Sequence, residues 1–96
     1  MNLGKAIQAL RKKKSIKQMD LASAIDLSQT SLSLIESGAK QPSQATLDKI
    51  CSFFGLPKPF IYFLALEESD IPKEKIDIYK ALEPGLKTHI ETLFVD

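Results

Sequence analysis

Ninety-six residues, 44% of them apolar, are enough for one domain around one small core. No apolar run approaches the roughly 18–20 residues a membrane-spanning helix needs. Leu3, Ile7 and Leu10 are too interrupted by polar residues to be a signal peptide's apolar core. The single cysteine, Cys51, has no internal disulfide partner, and beside Ile50 and Phe53 it reads as a core position. A cytoplasmic protein is the simplest expectation. The net charge of +1 hides an asymmetry: residues 1–65 carry nine Lys/Arg against four Asp/Glu, residues 66–96 four Lys against eight Asp/Glu. The basic part is suited to meet a polyanion and the acidic part is not.

Hydrophobic periodicity is helical nearly throughout and strand signals are scarce, so the fold class is all-α. A first helix is expected over residues 3–14, with Leu3, Ile7 and Leu10 on one face and Asn2 placed to cap it. A second runs over 18–25 and buries Leu21, Ala22 and Ile25. A third takes Ser28 as N-cap, buries Leu32 and Ile35, and ends at Ser37 before Gly38. Pro42 and Ser43 announce a fourth, with Leu47, Ile50, Cys51 and Phe54 at helical spacing and Gly55 as its stop. A fifth follows Pro57 and Pro59 and carries Phe60, Ile61, Phe63 and Leu64. The polar run 67–70 looks like a boundary. Beyond it a helix over 73–82 presents Ile76, Tyr79 and Leu82, Pro84-Gly85 is expected to interrupt it, and Leu86, Ile90, Leu93 and Phe94 form a last amphipathic stripe.

The informative feature is the spacing around the second and third helices. Ala22 stands where two helices cross closely, and the connection Ile25-Asp26-Leu27-Ser28 is very short. Asp26 falls where the chain needs a left-handed residue, which Asp tolerates better than most. Leu21, Ile25, Leu27, Leu32 and Ile35 then point inward together. Two helices so joined cross steeply and leave the second exposed along one side, a shape that fits a major groove.

Over residues 3–64 the sequence resembles the phage-repressor-type (XRE) helix-turn-helix DNA-binding family. The likeness is carried by Leu10-Arg11, Gln18, Leu21-Ala22, Leu27-Ser28, Ile35-Glu36-Ser37-Gly38, Pro42-Ser43, Thr46-Leu47, Ile50 and Phe54-Gly55-Leu56 in order. The resemblance implies a five-helix repressor-like DNA-binding bundle over residues 1–65, here with an acidic helical extension over 66–96. It implies a base-reading surface of Ser28, Gln29, Thr30, Ser33 and Leu34, with Gln29 able to pair bidentately with adenine. Phosphate contacts are implied for Gln18, Lys40, Ser43 and Gln44, and a structural ion pair for Arg11 and Glu36. Three positions depart from the family pattern. Lys17 stands where a Ser or Thr cap is usual and is a further phosphate candidate. Asp26 replaces a glycine. Leu34 replaces a polar base-reader and either packs or touches a thymine methyl.

Some residues have a plainer reading. Lys12, Lys13 and Lys14 make a solvated basic helix end that complements the helix dipole. His89 has no second ligand candidate nearby, so no metal is expected. No cofactor is implied and no catalytic constellation appears: one His and one Cys lie far apart, with no glycine-rich phosphate loop or nucleophile motif. Two functions remain in view. One is a transcriptional repressor that binds a palindromic operator in duplex DNA as a homodimer, with half-sites about 34 Å apart. The other is an antitoxin-like interaction protein whose segment 66–96 binds a protein partner. The apolar content of that segment is too high for a disordered tail. It dimerises the protein, binds a partner or packs back on helix five. Dimerisation through Ile76, Tyr79, Leu86, Ile90 and Phe94 is the favoured expectation.

Overall fold

A computed structural model describes residues 1–95 and is helical throughout its regular elements. The elements are α1 (Leu3–Lys13), α2 (Gln18–Ala24), α3 (Gln29–Ser37), α4 (Gln44–Phe54), α5 (Lys58–Ala65) and α6 (Ile76–Ile90). Two single 3-10 turns, Glu68–Asp70 and Lys73–Lys75, connect α5 to α6, and a π-helical turn, Glu91–Val95, prolongs α6. No helix among the described residues is long and apolar enough to cross a membrane.

The helix ends follow from their flanking residues. Asn2, Ser28 and Ser43 each accept a hydrogen bond from a backbone N–H in the first turn that follows, at 2.9, 3.1 and 3.1 Å. Each thereby satisfies a donor that the helix itself leaves without a partner. Gly38 and Gly55 close α3 and α4 in the left-handed region, with φ of +85° and +65°. Asp26 adopts φ +57°, the left-handed turn that the short α2–α3 connection demanded. Lys17 opens α2 without any side-chain cap, the weaker start its sequence implied.

The core is continuous. Ile7 and Leu10 of α1, Leu21 and Ala22 of α2, Ile25 after it, Leu32 and Ile35 of α3, and Leu47, Ile50, Cys51 and Phe54 of α4 are all buried together. Leu27 is half-buried against them. Burial pushes the Cys51 thiol above its ordinary pKa, consistent with a packing role. α1 lies between α5 and α3, and α3 lies against α2. The α1–α3 contact depends on Gly4, which no local sequence signal marks. A Cβ there would sit 2.0 Å from the Ile35 carbonyl oxygen.

One expectation about the carboxy-terminal part is corrected. Pro84-Gly85 does not end a helix: α6 runs through both residues to Ile90. A proline inside a helix removes one hydrogen bond, here to the Lys80 carbonyl, and tolerates continuation when packing on both sides holds the register. That packing is present. Tyr79 donates its hydroxyl to the Leu66 carbonyl at 3.4 Å upstream, and Ile90 and Val95 enter the main core downstream. Of the three expectations for the acidic segment, packing back on α5 is realised: residues 76–95 fold back, with Phe94 against Phe60 at 5.0 Å between ring centroids and Lys13 paired with Glu91 at 2.6 Å.

Because backbone, not a flexible side chain, blocks Gly4, Gly4→Ala should force α1 off α3. A loss of about 1–3 kcal/mol in urea unfolding is expected, the range for overpacked cores. An unchanged midpoint would mean the two helices have slack there.

Candidate nucleic-acid interface

α2 and α3 are joined by residues 25–28, and α3 turns one side to solvent. Gln29, Thr30, Ser33 and Leu34 are exposed and, with Gln18 from the start of α2, line one shallow depression. Four of the five expected base-reading residues are thus on α3. Ser28 differs from the rest, because its Oγ is engaged by the Ser31 N–H as the α3 cap. It keeps a hydroxyl proton to offer but sits at the edge of the row. The row itself carries amide and hydroxyl groups, which both donate and accept, beside one aliphatic side chain.

The expected phosphate contacts divide into two groups. Lys17 and Lys40 are exposed, and the Lys40 backbone N–H is held by the Leu34 carbonyl at 3.1 Å. That bond ties the loop after α3 to the reading helix. Gln18, Ser43 and Gln44 are already engaged within the protein. Gln18 donates to Glu36 at 3.2 Å. Ser43 caps α4 and donates to Thr46 Oγ1 at 3.0 Å. Gln44 donates to the Tyr62 hydroxyl at 3.3 Å and accepts from Lys58 at 3.1 Å. Lys58 in turn pairs with Asp48 at 2.5 Å, a contact that raises its pKa. Tyr62 and Lys58 were not singled out from sequence. Nothing in α5 alone signals them, because only the packing of α5 on α4 brings them to Gln44.

Behind the surface lies a buried ion pair. Arg11 donates from Nε and Nη2 to the two Glu36 carboxylate oxygens at 2.8 and 2.9 Å, and from Nη1 to the Ile16 carbonyl at 2.9 Å. The Glu36 side chain is only 1% exposed. Its hydrogen bonds hold the Arg11 pKa above the ordinary guanidinium range. The pair therefore locks α1, the α1–α2 loop and the end of α3 to one another, and Gln18 adds α2 through the same carboxylate.

The residues expected to dimerise the chain are scattered by the fold. Ile90 is buried in the core and Phe94 is stacked on Phe60, so both serve internal packing. Ile76 and Tyr79 are half-buried, and Leu86 alone stands exposed.

A short-turned helix pair, with a neutral hydrogen-bonding row on the outer helix and basic residues at its margins, defines a helix-turn-helix DNA-binding domain. The sequence matches the helix-turn-helix family model over residues 7–61. The chain belongs to the XRE-type helix-turn-helix family of DNA-binding transcription regulators. It is 30% identical over 95 residues to an immunity repressor protein of Bacillus phage phi105, covering 86% of this chain and 66% of that protein. It is 34% identical over 87 residues to an uncharacterized HTH-type transcriptional regulator of Mycobacterium bovis, covering 91% of this chain and 33% of that one. The chain thus spans about a third of the length of the mycobacterial relative. The crystal structure of the clp gene regulator ClgR from Corynebacterium glutamicum has a similar fold, with a TM-score of 0.64 at 23% identity over 99% of this chain and 93% of that one.

Removing one partner of a buried ion pair leaves an uncompensated charge. Arg11→Ala should therefore cost about 3–5 kcal/mol in denaturant unfolding. Gln18→Ala removes a single hydrogen bond to the same carboxylate and should cost about 1 kcal/mol. Equal losses would show that Glu36 is not the buried charge the contacts describe.

Proposed function

We propose that this protein is a sequence-specific transcriptional repressor that reads a palindromic operator as a homodimer. The observation that carries this reading is the exposed row Gln29, Thr30, Ser33 and Leu34 on α3, mounted on the buried Arg11–Glu36 frame. A row without a net charge enters the major groove at no electrostatic cost beyond Asp26. It selects sequence through groups that match base edges. Gln29 is assigned the adenine contact, Thr30 and Ser33 hydroxyl or methyl contacts. Leu34 is exposed rather than packed, which favours contact with a thymine methyl. Ser28 lies at the edge of the same surface.

Affinity comes from the margins. Lys17 and Lys40 supply free-standing charge toward phosphates, and the amino terminus of α4 at Ser43 and Gln44 offers backbone N–H groups. Gln18 is assigned a phosphate contact made with whatever donor capacity Glu36 leaves it. The phage repressor likeness supports the sign of regulation, and a DNA-reading role supports a cytoplasmic location beside the operator.

Gln29→Ala should reduce discrimination between operator and random duplex by about 1–3 kcal/mol, measured against duplexes selected from a random pool. Undiminished selectivity would remove Gln29 from the reading surface. Lys40→Ala should instead weaken all duplexes alike and lower the slope of log affinity against log salt by about one. A slope that does not move would take Lys40 out of the clamp.

A further inference from the structure

Lys58, Gln44 and Tyr62 are joined by hydrogen bonds whose polarity is forced. A lysine ammonium has donors and no acceptor, so the Gln44 atom that faces Lys58, at 3.1 Å, must be the side-chain carbonyl oxygen. The Gln44 amide nitrogen therefore faces Tyr62, at 3.3 Å, and donates to the phenol oxygen. The Tyr62 proton is not used in that bond, and no acceptor among the described residues takes it. Both ends of the arrangement are fixed. Asp48 also holds the Lys58 ammonium, at 2.5 Å, and the Tyr62 ring packs against the core.

The unused proton stands beside other unused donors. Ser43 Oγ accepts the Thr46 N–H in the first turn of α4. The backbone N–H groups of Gln44 and Ala45 have no carbonyl four residues earlier within the helix to accept them. An anion with several oxygens satisfies such donors together, and the amino end of a helix favours its charge. The loop that leads here from α3 is tied to that helix by the bond from the Lys40 N–H to the Leu34 carbonyl, so this corner keeps a fixed place relative to the reading helix.

We infer that the Tyr62 hydroxyl donates to a backbone phosphate of duplex DNA, and that Lys58 is a positioning residue that keeps the hydroxyl proton turned outward. This assignment rests on the DNA-reading role proposed above. It adds to the margin of that surface a contact from α5, which no motif in the sequence marks. Without Lys58 the Gln44 amide is free to turn over, and its carbonyl would accept the Tyr62 proton and withdraw it from the phosphate. Lys58 and Asp48 cancel in charge. The contact is therefore made by neutral donors and releases no counterion.

The test measures affinity of the full chain for a duplex selected from a random pool and for a random duplex, together with interference by phosphate ethylation. Tyr62→Phe keeps the ring in the core and removes only the proton donor. It should weaken both duplexes alike by roughly tenfold, the worth of one hydrogen bond to a charged acceptor. The slope against log salt should stay as in wild type, unlike that of Lys40→Ala. One phosphate whose ethylation hinders the wild-type protein should cease to matter to Tyr62→Phe, which a loss of packing alone would not produce. Lys58→Met combined with Asp48→Asn preserves the net charge of the cluster and should give the same loss. Adding Tyr62→Phe to that pair should cost no more than about a further twofold, because both changes act through one proton. A Tyr62→Phe variant that binds like wild type would remove the contact while the DNA-reading role stands. A loss confined to the selected duplex would make Tyr62 a base reader and overturn the phosphate assignment. Losses that multiply in the triple variant would overturn the positioning role of Lys58. A wild-type chain that binds neither duplex would overturn the DNA-reading role and this contact with it.

Discussion

Arg11 is held at both ends of its guanidinium, two bonds to the Glu36 carboxylate and one to the Ile16 carbonyl, in a setting where the carboxylate is almost wholly withdrawn from water. A buried carboxylate without a cation is costly, so the geometry of this pair is not negotiable for the fold. Its partners belong to four successive parts of the chain: α1, the α1–α2 loop, α2 through Gln18, and α3. The orientation of α3 relative to the rest of the molecule is therefore fixed by this planar bidentate contact together with the burial of Leu32 and Ile35. Lysine would not replace arginine here, since a point charge cannot grip both oxygens and the Ile16 carbonyl at once.

Around that frame the proposed DNA-facing surface separates positioning from reading. The basic residues stand at its edges, at Lys17 and Lys40, while the middle of α3 is neutral. Charges at the margin give affinity that salt screens, and neutral donors and acceptors in the groove give selectivity. The amides and hydroxyls nearest the protein body are the ones already engaged. Gln18, Ser43 and Gln44 all hold internal partners, so in the proposed phosphate clamp they would present a fixed shape. The Gln44–Lys58–Asp48–Tyr62 cluster stiffens the start of α4 in the same way.

The carboxy-terminal helix has two faces with different obligations. One is tied down by Tyr79, Glu91, Ile90 and Phe94 to α1, α5 and the core. The other offers Ile78, Leu82, Leu86 and Leu93 to solvent. Part of the acidic excess of residues 66–96, so conspicuous in the sequence, is met inside the molecule, Glu67 and Asp70 by the amino-terminal ammonium and Glu91 by Lys13. Glu83 and Glu91 of this helix line a recess beside Ala6, Ala9 and Lys13 of α1, whereas α3 meets α1 at Gly4 and Arg11.

Much of this was legible in the residues themselves. Caps at Asn2, Ser28 and Ser43, stops at Gly38 and Gly55, the left-handed Asp26 and the inward set from Leu21 to Ile35 are local or periodic signals. Local backbone and helix-face physics dictates them before any tertiary contact forms. The Arg11–Glu36 pair was legible only through its resemblance to a family pattern, because no local rule links residues 25 positions apart. What tertiary structure alone decided was anything settled by distant packing. Gly4 is dictated by a carbonyl on α3, and the Tyr62 and Lys58 contacts by the seat of α5 on α4. The continuation of α6 through Pro84-Gly85 was decided in the same way. A proline costs a helix one bond, and whether the helix survives that loss depends on the side chains it buries on either side. Those burial partners, Ile90 and Val95 in a core built by α1 to α5, cannot be read from the residues next to the proline.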